Sequence, residues 1–225
     1  MIIAIDGLAA TGKSTTAKAV ADTLGFTYLD TGAMYRAVTL AVLEKDIPLA
    51  DEETLRMFLT TLDLNILYIE KTLKIELEKV DVTERIRNPE VTAKVSEVSA
   101  VPIVRKTMVN LQRKLAFGKD CIVEGRDIGT VVFPNADVKF FMIADDRIRA
   151  ERRRKDLLEL GKTKEIGELE TEIRDRDRKD SSRIHSPLKK AEDSIMIDTS
   201  HLNFQEQVNK IVEKIKTVQK GKYIK

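Results

Sequence analysis

Near the start of the chain, Gly7-Leu8-Ala9-Ala10-Thr11-Gly12-Lys13-Ser14 satisfies the pattern G-x-x-x-x-G-K-[ST] without a gap. The chemistry of that spacing is phosphate binding. Gly7 and Gly12 let the backbone bend tightly around an anion, and the amides opening the next helix point at it with the helix dipole behind them. Lys13 is placed to bridge β- and γ-phosphates, and the Ser14 hydroxyl is a ligand for the Mg²⁺ that accompanies a nucleoside triphosphate.

Such a loop binds a phosphoryl donor and leaves the second substrate open, so other anion-binding segments matter. Asp30-Thr31-Gly32-Ala33-Met34-Tyr35-Arg36 follows an expected strand, and Arg36 lies about one turn beyond Thr31. It is either an ordinary turn with a solvated arginine or a second anion site at a helix N-terminus. Glu124-Gly125-Arg126-Asp127-Ile128-Gly129 follows another strand. Arg126 and Asp127 can grip a phosphate and a hydrogen-bonding base, or simply pair with each other, and Glu124 can orient the water around Mg²⁺. The third segment, 147–183, is densest in charge, with Arg147, Arg149, Arg152, Arg153, Arg154 and Lys155 followed by Arg174, Arg176, Arg178, Lys179 and Arg183. Interleaved acids make much of it a solvated helical surface. Collectively, though, positioned guanidiniums are what phosphoryl transfer requires.

These residues need a scaffold that brings strand ends to one edge. Ile2 to Ile5 is an apolar run without polar alternation, as in a strand covered on both faces. Ala17, Val20, Ala21 and Leu24 then recur at helical spacing, Phe26 to Leu29 reads as a strand, and Ala33 to Leu43 reads as a helix. That alternation implies a parallel sheet. Leu64-Asn65-Ile66-Leu67-Tyr68-Ile69 and Leu73-Lys74-Ile75-Glu76-Leu77, separated by Glu70-Lys71-Thr72, suggest an inserted β-hairpin. Helices are expected after Asn88-Pro89 and from Pro102 to Phe117, and strands at 121–124, 138–143 and 194–197. Gly161-Lys162-Thr163 reads as the tip of a helical hairpin lid, and 204–218 as a closing amphipathic helix ahead of a frayed polar tail. The expected fold is α/β, a five-stranded parallel sheet flanked by helices.

Composition narrows the function classes. The 39 Lys and Arg against 37 Asp and Glu leave a net charge of +2, which gives no general reason for nucleic-acid or membrane binding. Cys121, the single cysteine, reads as a small buried hydrophobe, and His185 and His201 have no metal spacing with it. The opening Met1-Ile2-Ile3-Ala4-Ile5-Asp6 has no basic leader, and no apolar run approaches the roughly 20 residues of a membrane helix. A cytoplasmic monomer is the expectation. A nucleotide switch would want a guanine-reading Asn-Lys-x-Asp, which is absent.

Taken in order, Ile5-Asp6-Gly7 entering the loop, Leu29-Asp30-Thr31-Gly32-Ala33-Met34-Tyr35-Arg36, Gly125-Arg126-Asp127-Ile128-Gly129-Thr130-Val131-Val132-Phe133-Pro134, and Arg174 to Asp180 with Arg183 resemble the bacterial cytidylate kinases. These are a branch of the nucleoside monophosphate kinases, and the likeness spans nearly the whole chain. It implies ATP-dependent, Mg²⁺-assisted phosphorylation of CMP and dCMP in pyrimidine metabolism; kinases of UMP or AMP are the alternative. The implied organisation is a core (1–62, 89–150, 190–225), an insertion binding the monophosphate (about 63–88) and a lid (about 151–189). ATP is then held along Gly7 to Thr15, with Lys13, Arg126, Arg176 and Arg183 catalytic. Thr31, Arg36, Ser96, Arg105, Arg126, Asp127, Arg176, Asp180 and Arg183 are implied for CMP, and Ser14 and Glu124 for the metal. Thr31 departs from a common serine but keeps the hydroxyl; Lys179 and Ser181-Ser182 depart from a more arginine-rich lid.

Overall fold

In the computed structural model, which describes residues 1–69, 72–159 and 161–223, the expected opening alternation forms. Strand β1 (Ile2–Gly7) is followed by helix α1 (Lys13–Leu24) and strand β2 (Thr27–Asp30). Gly25, at φ 69°, ends α1 in the left-handed conformation that a side chain disfavours.

Helix α2 (Thr31–Glu44) starts two residues earlier than the sequence suggests. Asp30 is its N-cap, accepting from the Ala33 amide at 2.7 Å, so Asp30-Thr31-Gly32 is the helix's first turn and not a separate turn. Helix α3 (Glu52–Thr61) was not anticipated, although Asp51 caps it and Leu55, Phe58 and Leu59 recur at helical spacing. The expected hairpin is β3 (Leu64–Ile69) paired antiparallel with β4 (Thr72–Leu77); its turn residues Glu70 and Lys71 lie outside the described residues. A short β5 (Val80–Asp81) adds a third strand. Helices α4 (Pro89–Val98) and α5 (Pro102–Ala116) each carry proline in the first turn, where its missing N–H costs nothing.

The chain continues through β6 (Cys121–Gly125), a π-helical turn at Ile128–Val132, β7 (Val138–Ile143), α6 (Asp146–Glu159), α7 (Ile166–Ser181), β8 (Ile195–Asp198) and α8 (Phe204–Tyr223). The last helix runs on past Val218, where a frayed tail was expected; Ile224 and Lys225 lie outside the described residues. The proposed lid tip, Gly161-Lys162-Thr163, falls between α6 and α7, with Leu160 outside the described residues.

Two compact units emerge, Met1–Leu29 with Gly118–Lys225, and Asp30–Phe117. In the first, the strand order of the five-stranded parallel sheet is β2-β6-β1-β7-β8. The central β1 pairs with β6 (Ile3 beside Ile122) and with β7 (Ile3 beside Val138), and Ile3, Ala4 and Ile5 are fully buried. Because these strands are parallel, the loops leaving β1 and β6 emerge at the same carboxyl edge, where open α/β sheets hold ligands. In the second unit, α2 packs with α4, and α3 with α5, beside the three-stranded sheet. No helix among the described residues is long and apolar enough to cross a membrane.

Candidate functional site

The phosphate loop is shaped by two glycines, at the first of which nothing larger fits. Gly7 has φ 149°, and a Cβ there would lie 2.1 Å from the Met142 carbonyl oxygen on β7. Gly12, at φ 85°, turns the chain into α1. Between them, the Thr11 hydroxyl donates to the Leu8 carbonyl at 3.0 Å. Lys13 is buried, its Nζ donating to the Leu8 carbonyl at 2.5 Å and to Thr11 Oγ1 at 3.3 Å. Burial, with like-charge repulsion from Arg126, holds the Lys13 ammonium well below the ordinary lysine range. Ser14 and Thr15 are exposed at the start of α1.

At the end of β6, Glu124 is buried and accepts a 2.6 Å hydrogen bond from Tyr28 Oη on β2. Arg126 pairs with Asp180 of α7 (Nε to Oδ2 3.1 Å), and not with its neighbour Asp127 as the local alternative had it. Asp127 precedes the π-helical turn but makes no side-chain cap to it. The cap comes from Asp6, whose carboxylate accepts from Ile128 N at 2.8 Å and Gly129 N at 2.7 Å. Burial pushes the Asp6 carboxyl up to about 6, even though both amides pull it back.

The dense charge run of α6 and α7 divides in two. Arg147, Arg174 and Arg178 are exposed and pair with Glu151, Asp146 and Asp175, the solvated helical surface anticipated from the interleaved acids. Asp180, in contrast, is buried and gathers cations. Burial alone would raise its carboxyl, but Arg126, Arg176 and Arg183 outweigh that and hold it below the ordinary range. Arg183 Nε also donates to the Asp180 carbonyl at 3.1 Å.

Arg149 and Asp177 do different work. Buried Arg149 donates to the Ala9 carbonyl at 3.1 Å and pairs with Asp177, whose other oxygen accepts from the Ala9 amide at 2.9 Å. Ala9 also packs with Ala150, Leu169 and Ile173, so apolar contact and ion pair together seat the α6–α7 hairpin on the phosphate loop.

In the second unit, Thr31 is buried at the head of α2, and Arg36 lies 3.4 Å from Asp30. Arg105 of α5 is buried, donates to the Ser99 carbonyl at 3.1 Å and stacks over the Tyr35 ring at 5.2 Å from its centroid. Ser96, half-buried on α4, accepts at its carbonyl from the Ser99 hydroxyl. His185 and His201 are exposed and Cys121 is buried.

The sequence assigns no role to Asp6, Tyr28 or Asp177, and names Arg149 only within the charge run. Asp6 had one available signal, a carboxylate ending an otherwise apolar strand. Tyr28, Asp177 and the particular partners of Arg149 had none, because those partners are distant in sequence.

The family model described as cytidylate kinase matches residues 3–217. The cytidylate kinase of Carboxydothermus hydrogenoformans is 47% identical over 213 residues, which cover 95% of this chain and 96% of that protein. That of Protochlamydia amoebophila is 47% identical over 218 residues, 95% of each chain. Among solved structures, an uncharacterized protein from Eubacterium ventriosum superposes with a TM-score of 0.54 at 14% identity over 96% of this chain and 98% of that one, a likeness of fold alone.

Proposed function

The chain belongs to the cytidylate kinase family, and we propose that it transfers the γ-phosphoryl group of ATP directly to CMP and dCMP, yielding CDP and dCDP. The observation that carries this reading is the convergence of Arg126, Arg176 and Arg183 on buried Asp180, with Arg126 and Arg176 also acting on Lys13 of the phosphate loop. A transferred phosphoryl group spreads charge over its equatorial oxygens and asks for positioned cations more than for covalent chemistry.

Lys13 and the amides of the loop from Gly7 to Thr15 hold the donor phosphates. Arg126, Arg176 and Arg183 hold the moving group and the acceptor phosphate, with Asp180 fixing their positions. Asp127, Ser96 and Arg105 recognise cytosine and the monophosphate, and Thr31 and Arg36 hold its phosphate side. The acceptor is already anionic at neutral pH, so no side chain has to act as general base, and no phosphoenzyme forms.

The donors suited to a metal are the exposed Ser14 hydroxyl and the Glu124 carboxylate, both oxygen ligands. No cluster of three or more His, Cys, Asp or Glu among the described residues could hold an ion alone. Such a set fits Mg²⁺, which arrives on phosphates and keeps most of its water. When bound, it neutralises charge on the donor phosphates.

Release of ADP measured against a panel of acceptors tests the reading. CMP and dCMP are expected to be turned over best; equal or better turnover of AMP or UMP would overturn the acceptor assignment.

A further inference from the structure

A helical turn leaves its first amides without partners inside the turn, and a π-helical turn is a strained form that recurs at functional sites. Here the turn at Ile128–Val132 is closed by Val132 N donating to the Asp127 carbonyl at 3.2 Å and Phe133 N to the Ile128 carbonyl at 2.7 Å. Its opening amides, Ile128 N and Gly129 N, need an acceptor. Aspartate at the N-cap ordinarily supplies one, yet Asp127, which occupies that position, makes no such bond. Both amides go instead to Asp6, 122 and 123 residues away in sequence, at the carboxyl end of the strand that opens the phosphate loop.

We propose that Asp6 is a positioning residue for the reaction: by capping the turn that follows Asp127 it fixes Arg126 and Asp127 relative to the phosphate loop. The inference rests on the proposed acceptor-binding role of those two residues. The connection is short and stiff. Asp6 is followed at once by Gly7, whose backbone is pressed against Met142, and Asp6 pairs in register with Gly125, the residue before Arg126. Donor loop and acceptor loop are thus joined by one carboxylate and one strand pairing, with no flexible side chain between them.

The site is costly for a carboxylate, as expected of a group retained for position. Asp6 is buried, and that burial opposes its charge. An uncharged side chain of the same size relieves the burial penalty while offering one acceptor oxygen in place of two. A purely structural Asp6 would make its loss a loss of stability; a positioning Asp6 makes it a selective loss of acceptor use.

The test is Asp6→Asn, studied at pH 8 with ATP and CMP varied separately and with the unfolding midpoint measured alongside. The expected result is a CMP KM raised about 100-fold, the cost of an ångström-scale misplacement, with the ATP KM within about threefold and the unfolding midpoint not lowered. Gly129→Ala is the second variant. Its Cβ would lie 3.1 Å from the buried Lys139 side chain and 3.4 Å from Asp6 Oδ2, so it crowds the turn beside the capping carboxylate. It should raise the CMP KM about tenfold and carries the test if Asp6→Asn folds poorly. Equal impairment of ATP and CMP, or CMP kinetics within threefold of wild type in both variants, would overturn the inference. Wild-type protein that turns over another acceptor and ignores CMP would instead overturn the acceptor reading, so the two failures are distinguishable.

Discussion

The phosphate loop and the arginine cluster around Asp180 serve the same kind of ligand by opposite means. The loop is built from backbone: glycine conformations, a Gly7 that admits no Cβ, and amides at the head of α1. The cluster is built from side chains, with Arg126 from the loop after β6 and Arg176 and Arg183 from α7 and beyond, all directed at one buried carboxylate. Backbone geometry is specified by neighbours in sequence, whereas a side-chain cluster is specified only by the fold that brings its members together. The first should therefore tolerate loss of a side chain in binding though not in rate, and the second should fail as a unit.

Lys13→Ala is the most severe way to break this contrast. With the backbone cradle intact, kcat should fall about 1,000-fold, as when a charge-stabilising group is removed from a transition state. ATP affinity, measured by equilibrium titration, should weaken by less than about tenfold. A collapse of binding as large as the collapse of rate would show that the loop depends on its lysine and not on its amides.

The next effect concerns stability and lies where β1 enters the loop. Burial raises the Asp6 carboxyl to about 6, with Ile128, Gly129 and Lys13 pulling it down and Asp127 adding to the rise. An acid that titrates above its ordinary 3.8 takes up a proton on folding. Its contribution to stability is therefore full below about pH 4 and lost as the pH climbs through about 6. Relative to wild type, Asp6→Asn should gain about 3 kcal/mol in unfolding free energy between pH 4 and pH 7. Denaturant titrations across that range would check it; a difference independent of pH would mean that Asp6 is not strained by burial.

Asp180→Ala tests whether the cluster acts as a unit. Removing the carboxylate leaves Arg126, Arg176 and Arg183 repelling one another in a half-buried setting, where solvent screens them poorly. The value of kcat/KM for CMP should fall about 100-fold. Inorganic phosphate should raise the unfolding midpoint of the variant more than that of wild type, because the anion substitutes for the lost charge. A loss confined to tenfold, with no added response to phosphate, would make the cluster three independent residues.

The same contrast explains what could be read from the sequence. Gly7 to Ser14 was legible because its chemistry is contiguous, and β1, α1 and β2 followed from the hydrophobic pattern around it. The strand order β2-β6-β1-β7-β8 was not legible, since pairing of Ile3 with Ile122 and Val138 is a tertiary choice among similar apolar strands. Within the charge run of α6 and α7, exposed Arg174 and buried Arg149 look alike as residues, and only packing against Ala9 separates them. Helix α3 is legible in the sequence too, in the Asp51 cap and the spacing of Leu55, Phe58 and Leu59. The Asp30 turn was misread because an aspartate ahead of threonine and glycine suits a loop as well as a helix start.

The mildest test falls between the two constructions, at Tyr28. Its hydroxyl donates to Glu124 at 2.6 Å, both groups are buried, and Tyr28 stands on β2 while Glu124 ends the neighbouring β6. A donor on a carboxylate restricts its rotation and so fixes the direction in which it faces the site. Tyr28→Phe removes that donor and keeps the ring, so the sheet should be little disturbed. The proposed role of Glu124 then requires the Mg²⁺ concentration for half-maximal activity to rise about tenfold, with CMP KM unchanged. The same shift should appear in the Mg²⁺ dependence of ATP binding without acceptor, a measurement that involves no turnover. A rise in CMP KM with no change in Mg²⁺ dependence would instead assign Glu124 to the side-chain cluster and leave the backbone loop to hold the metal-bound donor through Ser14.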